Sequence, residues 1–154
     1  MRSKSPLALM EQVIMVLVFA LAAALCLRVF VFSDLASTRN EAVDRAVLEC
    51  QNAAEFLKSS GLPADKAQSE LASHTGGTMS QGLVQICYDE DWNVIPENNE
   101  DCVYVVEMQG MPADVEGLVK AHIRAAAVKD ISVGGSGEDL FALEVAWQEV
   151  TGNE

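Results

Sequence analysis

The sequence predicts an α+β fold in which one long N-terminal helix packs against a small antiparallel β-sheet of four to five strands. Three observations support this prediction. Nearly every residue from Leu7 to Phe32 is apolar. No glycine or proline occurs between Pro6 and Gly61, so nothing in that interval tells a helix to end. After Gly77, apolar residues recur at every second position, which is typical of strands with one buried face.

The first half of the predicted helix, residues 7–32, is long enough to cross a membrane. A hydrocarbon core of about 30 Å needs roughly 20 apolar residues in a helix. The polar residues within this segment are Glu11, Gln12 and Arg28. We therefore predict a transmembrane helix, preceded by a short basic leader at residues 1–6.

The second half of the helix, residues 33–60, is amphipathic. Five of its residues recur at spacings of four, three, four and three, which places them on one stripe: Val43, Val47, Cys50, Ala54 and Leu57. Polar residues lie off that stripe, toward water: Asp44, Arg45, Gln51 and Glu55. This apolar stripe is expected to pack against another element, and the remainder of the chain is the obvious candidate.

Residues 61–154 are predicted to form an acidic extracytoplasmic α+β domain. Residues 63–74 resemble a short second helix, and alternating apolar residues predict strands near 84–88, 92–96, 102–108, 119–125 and 141–147. The segment 118–128 could instead be helical, because alanine is permissive. Residues 134–137, Gly-Gly-Ser-Gly, indicate a turn before the last strand.

The charge of the chain is concentrated in this domain. Residues 61–154 contain seventeen acidic and four basic side chains, a net charge of −13, whereas residues 1–60 contain six of each and are neutral. Such a domain repels phosphate backbones and anionic lipid surfaces, so we expect no direct binding of nucleic acid.

The orientation follows from the leader. Arg2 and Lys4 precede the apolar segment, so the positive-inside bias predicts a single-pass cell-membrane protein with a cytoplasmic N-terminus. Two alternatives involve cleavage: a signal peptide cut near the alanines of residues 22–24, or lipidation of Cys26. Apolar residues continue past the first of these positions, and Leu25 is too bulky for the second.

The N-terminal pattern is similar to that of a known superfamily. A short basic leader is followed by Leu7-Ala8-Leu9-Met10-Glu11 and then by the apolar segment. This order resembles type IV pilins and type II secretion pseudopilins, in which a Glu at the fifth position of the mature chain neutralises the amino terminus of a neighbouring subunit. The resemblance implies that Glu11 acts in assembly and that the chain is a minor, pseudopilin-like subunit. The alternative for Glu11 is a carboxylate that reaches the membrane interface.

The processing site departs from the family pattern. The processing peptidase of that family expects Gly before the cut and usually Phe after it, but this sequence has Pro6 and Leu7 there. Proline beside a scissile bond is a poor substrate geometry, so we expect an uncleaved leader.

Two of the four cysteines could form a disulfide. Cys87 and Cys102 lie in candidate neighbouring strands on the side of the membrane where disulfides persist. The alternative is two small buried thiols. Cys50 lies on the packing stripe, Cys26 lies within the membrane segment, and the absence of a C-x-x-C pair argues against zinc.

An acidic segment imitates part of a calcium-binding loop. The candidate ligands are Asp89, Asp91, Asn93 and Glu100. Val94 replaces the glycine that the sharp turn of such a loop requires, and Pro96 interrupts it. The competing interpretation is an acidic hairpin turn, and no cofactor other than calcium is indicated.

Nothing in the sequence predicts an enzyme. The two histidines, His74 and His122, lie at the end of the short helix and on the polar side of a strand, and no phosphate loop or nucleophile motif occurs. The expected partners are membrane lipid and other pilin-like subunits, contacted through one face of the membrane helix: Leu9, Val13, Val16, Ala20 and Ala24. The alternative function is a bitopic sensor or scaffold with an extracytoplasmic binding domain.

Overall fold

The computed structural model describes residues 5–97, 99–113, 115–128 and 138–150, with side chains from residue 9 onward. The chain divides into two compact units, Met1–Glu41 and Ala42–Glu154, which are treated separately. The fold is α+β, as the sequence predicts. The turn predicted at residues 134–137 lies outside the described residues.

The first helix, α1, spans Ser5–Ser60 and therefore enters both units. It begins two residues before the predicted start at residue 7 and ends at residue 60 as predicted, because Pro6 is tolerated in a first helical turn and no later glycine or proline interrupts the helix before Gly61. In the first unit the helix continues without interruption through residue 33. There the Thr38 hydroxyl donates to the Asp34 carbonyl, a local bond that occurs within helices.

In the second unit, residues 42–60 of α1 bury an apolar stripe. Its most buried members are Ala46, Cys50, Ala53, Ala54 and Leu57. The prediction placed Val43 and Val47 in this stripe, but both are only half-buried. The buried positions there are instead Ala42 and Ala46, one residue earlier in each turn. The polar residues predicted to face water are confirmed as exposed.

The second helix, α2, spans Ala64–Thr75, close to the predicted 63–74. The carbonyl of Pro63 accepts from the amides of Lys66 and Ala67, which begins the helix. Gly76 ends it with a left-handed φ of 75°, the usual conformation of a helix C-terminal glycine. Its buried side chains are Ala67, Gln68, Leu71 and Ala72.

A single antiparallel sheet follows. Its strands are β1 (Thr78–Ser80), β2 (Leu83–Tyr88), β3 (Val94–Ile95), β4 (Tyr104–Met111), β5 (Leu118–Ala127) and β6 (Glu138–Gln148). The hydrogen-bonded order is β1-β2-β4-β5-β6, and β3 pairs with β2. The four long strands were predicted, and the helical alternative for 118–128 is wrong. The short β1 was not predicted, and β3 is only two residues long.

The sheet has one apolar face and one polar face. The apolar face is built from residues in register across four strands, such as Val84, Met108, Ile123 and Leu143. These residues share one core with Leu57 of α1 and Leu71 of α2. The opposite face bears Gln85, Glu107 and Arg124, so alternation along the strands separates core from water as an antiparallel sheet requires.

Candidate functional site

The most unusual surface of the first unit is the apolar part of α1. Every side chain from residue 9 to residue 32 is exposed, although nearly all are apolar. An apolar surface of this extent needs apolar surroundings, and the other described residues do not cover it. Among the described residues, α1 is the one helix long and apolar enough to cross a membrane.

The predicted assembly residue lies on this surface. Glu11 is exposed, as is Arg28 toward the other end of the segment. Neither side chain forms an ion pair with another described residue. The predicted contact face is also exposed throughout: Leu9, Val13, Val16, Ala20 and Ala24. Pro6 and Leu7, the residues at the doubtful processing site, lie in the helical backbone at the start of α1.

The structure brings Cys87 and Cys102 together. Cys87 lies in β2, Cys102 lies just before β4, and both are buried. Burial, together with a side-chain hydrogen bond to Cys102, raises the pKa of the Cys87 thiol. Both are free thiols here, so their contact agrees with either sequence alternative, and the disulfide stays a prediction.

The other two cysteines both lie in α1. Cys50 is fully buried, and burial followed by the nearby charge of Glu49 raises the pKa of its thiol to about 12. Burial of this kind is typical of a cysteine that packs in the core. Cys26 is exposed on the apolar part of α1.

The acidic loop after β2 is organised by Asp89. Its carboxylate accepts from the backbone amides of Asp91 (3.0 Å) and Asn93 (2.8 Å) and from the side-chain amide of Asn93 (3.0 Å). These hydrogen bonds lower the pKa of Asp89, and the bond from the Asn93 side chain has the largest effect. Asp89, Asp91 and Glu100 do not converge, and the described residues include no cluster of three or more His, Cys, Asp or Glu side chains. The geometry is that of the acidic hairpin turn.

An aromatic cluster beside this loop was missed by the sequence analysis. Trp92 stacks on Tyr104, with ring centroids 4.4 Å apart, and contacts Tyr88 at 5.4 Å. Trp92 has a φ of 63°, which is rare for a bulky residue. The Tyr88 hydroxyl donates to Glu49 of α1 (3.4 Å), and burial, then that carboxylate, raises its pKa. Alternation suggested the Tyr positions, but no local signal pairs them with Trp92.

The polar face of the sheet carries a second unpredicted network. Arg124 donates to the Glu107 carboxylate from two nitrogens (2.6 and 3.2 Å) and to Asp139 (3.1 Å). Gln85 donates to the other oxygen of Glu107 (2.8 Å). The hydrogen bond with Glu107 is the largest cause that raises the pKa of Arg124. This network links β2, β4, β5 and β6 on the polar face.

The two histidines lie in different parts of the second unit. His74 stacks on Phe56 with ring centroids 5.1 Å apart, at the edge of a shallow, open depression of about 400 Å³. The Ser73 hydroxyl, also at this depression, donates to the Ser69 carbonyl within α2. His122 lies on the polar face of β5, opposite Glu144.

Comparisons with known protein families, with curated proteins and with solved structures found no match to this chain.

Proposed function

We propose that this chain is a pseudopilin-like, single-pass membrane subunit that assembles with other subunits into a filament or its tip complex. One observation carries the proposal: a single helix supplies both an uncovered apolar segment in the first unit and a sheet-covered stripe in the second. The apolar part of such a helix can pack against the helices of neighbouring subunits. Its second part packs against the sheet of a domain whose loops are available to partners.

The apolar segment sets the location. Residues 9–32 would leave a large apolar surface in water, and a bilayer or a bundle of like helices removes it. With Arg2 and Lys4 in the cytoplasm, the acidic domain lies outside. A net charge of −13 on that domain opposes its association with anionic lipid, which leaves its surface open to protein partners.

Glu11 is the residue proposed to act in assembly. An ionised side chain at the centre of a membrane helix costs about 2.5–3.5 kcal/mol on insertion scales, and a cation at the same depth offsets that cost. Glu11 lies near the start of the segment, where the cost is smaller. In an isolated helix the Glu11 carboxylate must extend to the membrane–water interface or stay charged in the apolar core at that cost in free energy. In an assembly a neighbouring copy supplies the cation, so the charge favours association.

The test compares the full-length Glu11→Ala and Gln12→Ala variants, each expressed in cells and assayed in isolated membranes. Chemical crosslinking measures assembly, and resistance to alkaline extraction measures insertion. We expect Glu11→Ala to lose the crosslinked multimers while it stays inserted. Gln12→Ala, the adjacent polar residue without a charge, should behave as wild type.

Two results would contradict the proposal. One is a wild-type chain that is monomeric at every crosslinker concentration. The other is an Ala variant at Glu11 that still forms the full series of multimers, which is the behaviour expected of a bitopic sensor or scaffold.

A further inference from the structure

We propose that the outer edge of β6 binds an extended, positively charged segment of a partner protein, which adds an antiparallel strand to the sheet. The inference concerns only the second unit. It goes beyond the proposed function and does not depend on it, because it requires neither a membrane nor a second copy of the chain.

β6 is the last strand of the sheet. Among the described residues it pairs with β5 alone, so its other side has no neighbouring strand. From Phe141 to Gln148 it follows β5 without a shift in register, and the irregularity lies before Phe141, opposite Ala125 and Ala126. This regular part of β6, residues 141–148, is long enough to pair with a strand of ordinary length.

The backbone groups that face away from β5 follow from the register. The Glu149 amide donates to the Gly117 carbonyl at 2.9 Å, directly after the Leu118–Gln148 pair. Opposite residues of antiparallel strands alternate between hydrogen-bonded and non-hydrogen-bonded pairs. Gln148 and every second residue before it therefore direct their N–H and C=O groups outward. These outward residues are all exposed: Ala142, Glu144, Ala146 and Gln148.

This edge lacks the usual protection against a further strand. Exposed edges of native sheets commonly carry lysine, proline or a bulge. Residues 141–148 contain neither lysine nor proline, and the small side chains of Ala142 and Ala146 leave the backbone accessible. On the apolar face of the same strand, Phe141 and Leu143 are only half-buried. An added strand would pair with the backbone and also cover these two side chains.

The charge of β6 disfavours a second copy of the chain as the occupant. Like charges on paired strands are destabilising. A second β6 would double the acidic side chains at this edge and would bring no basic one. Residues 138–150 contain four acidic residues and no lysine or arginine: Glu138, Asp139, Glu144 and Glu149.

A basic segment is complementary to the same edge. Asp139 already binds Arg124 of β5. Glu144 is exposed in the middle of the regular part, opposite His122. An added strand with lysine or arginine at every second position places those side chains beside Glu144 on the polar face. Its intervening apolar residues then lie beside the half-buried Phe141 on the other face.

Synthetic peptides test strand addition separately from charge. The probe is a labelled peptide of alternating valine and lysine, as long as residues 141–148, whose binding to the full chain in non-ionic detergent micelles is measured by fluorescence anisotropy. One derivative is N-methylated at its lysines and another at its valines. In an antiparallel added strand the lysines lie opposite the outward residues of β6, so only their amides donate to β6.

We expect the valine-methylated peptide to bind like the unmodified probe and the lysine-methylated peptide to bind at least about tenfold more weakly. Equal binding of the two derivatives would overturn the proposal, because binding would then depend on charge alone. Stronger binding of the lysine-methylated peptide would overturn the antiparallel arrangement. A peptide of alternating valine and glutamate should not bind, and equal binding of this peptide would overturn the requirement for a basic partner.

Two substitutions at Ala146 locate the peptide on the protein. Ala146→Pro removes one outward N–H and leaves the bonds to β5 in place, as proline does on the solvent side of an edge strand. Ala146→Val keeps that N–H. We expect Ala146→Pro alone to weaken binding of the probe, with an unchanged urea midpoint in its absence. Binding of the proline variant as tightly as wild type would show that the peptide does not occupy this edge.

Hydrogen exchange of the chain without and with the probe identifies the occupant of the edge. We expect the amides of Ala142, Glu144 and Ala146 to exchange rapidly in the free chain and to be protected by the probe. Protection that rises with protein concentration in the absence of the probe would assign the edge to a second copy. Protection at every protein concentration would assign it to another part of the same chain. Either result would overturn the proposal, and both would leave the proposed function to its own test.

Discussion

Replacing Leu57 by alanine tests whether the second half of α1 belongs to the core of the second unit. Leu57 is 0% exposed and shares a core with residues of α2 and the sheet. The substitution removes three carbon atoms from that site, worth about 2.4 kcal/mol at about 0.8 kcal/mol for each buried group, and leaves a cavity that adds to the cost. We expect the free energy of unfolding to fall by about 3 kcal/mol.

The control is Leu48→Ala in the same stretch of helix. Leu48 is 46% exposed, so the same change of side chain should cost less than about 1 kcal/mol. Both variants have the same small gain of helix propensity, so the difference between them isolates burial.

The assay is urea unfolding of the full chain in detergent micelles, followed by tryptophan fluorescence. Trp147 is a suitable reporter because it is buried and its indole nitrogen donates to the Leu62 carbonyl at 2.8 Å. Equal losses in the two variants, or a loss below about 1 kcal/mol for Leu57→Ala, would refute the packing of α1 against the sheet.

Three further predictions concern the second unit. A Cβ at Gly77 would lie 2.8 Å from the Gln85 carbonyl oxygen, so Gly77→Ala should destabilise the chain by about 1–3 kcal/mol in the same urea assay, and an unchanged midpoint would contradict that contact. Incubation with oxidised glutathione should join Cys87 to Cys102, seen as a mass loss of two hydrogens in the linked peptides. The closed loop of 15 residues should raise stability by about 3 kcal/mol over the reduced chain, and no gain would show that the thiols are only core residues. The lowered pKa of Asp89 means that its contribution is complete above the ordinary Asp pKa and is lost as pH falls through the folded value. The difference in unfolding free energy between wild type and Asp89→Asn should therefore shrink below about pH 4. A difference that grows in acid would contradict the conclusion that the ionised Asp89 carboxylate stabilises the fold.

The sequence predicted what depends on local pattern. The absence of glycine and proline defined α1, and strict alternation defined β5 even though its alanines also suit a helix. On α1, Cys50, Ala54 and Leu57 are buried as predicted, whereas Ala42 and Ala46 are buried in place of Val43 and Val47. Hydrophobicity alone therefore did not identify every buried side chain of the helix.

The parts that sequence reasoning missed depend on contacts between distant residues. β1 is exposed along its whole length and has no apolar alternation, so only its pairing with β2 defines it. The stacking of Trp92 on Tyr104 and the bonds of Arg124 to Glu107 join residues that become neighbours only after the strands pair. Cys87 and Cys102 were found because two cysteines in adjacent predicted strands form a pattern that can be recognised in advance.

The end of β6 returns to the junction between the two helices. The Val150 amide donates to the Gly61 carbonyl, and the Trp147 indole donates to the Leu62 carbonyl. On the ribosome, α1 is made first, whereas the strand that secures its far end is made about ninety residues later. At the synthesis rates usual in cells, of the order of 5–20 residues per second, the apolar stripe of α1 stays exposed for several seconds before β6 is made. During that interval the exposed apolar stripe of α1 is available to bind a chaperone.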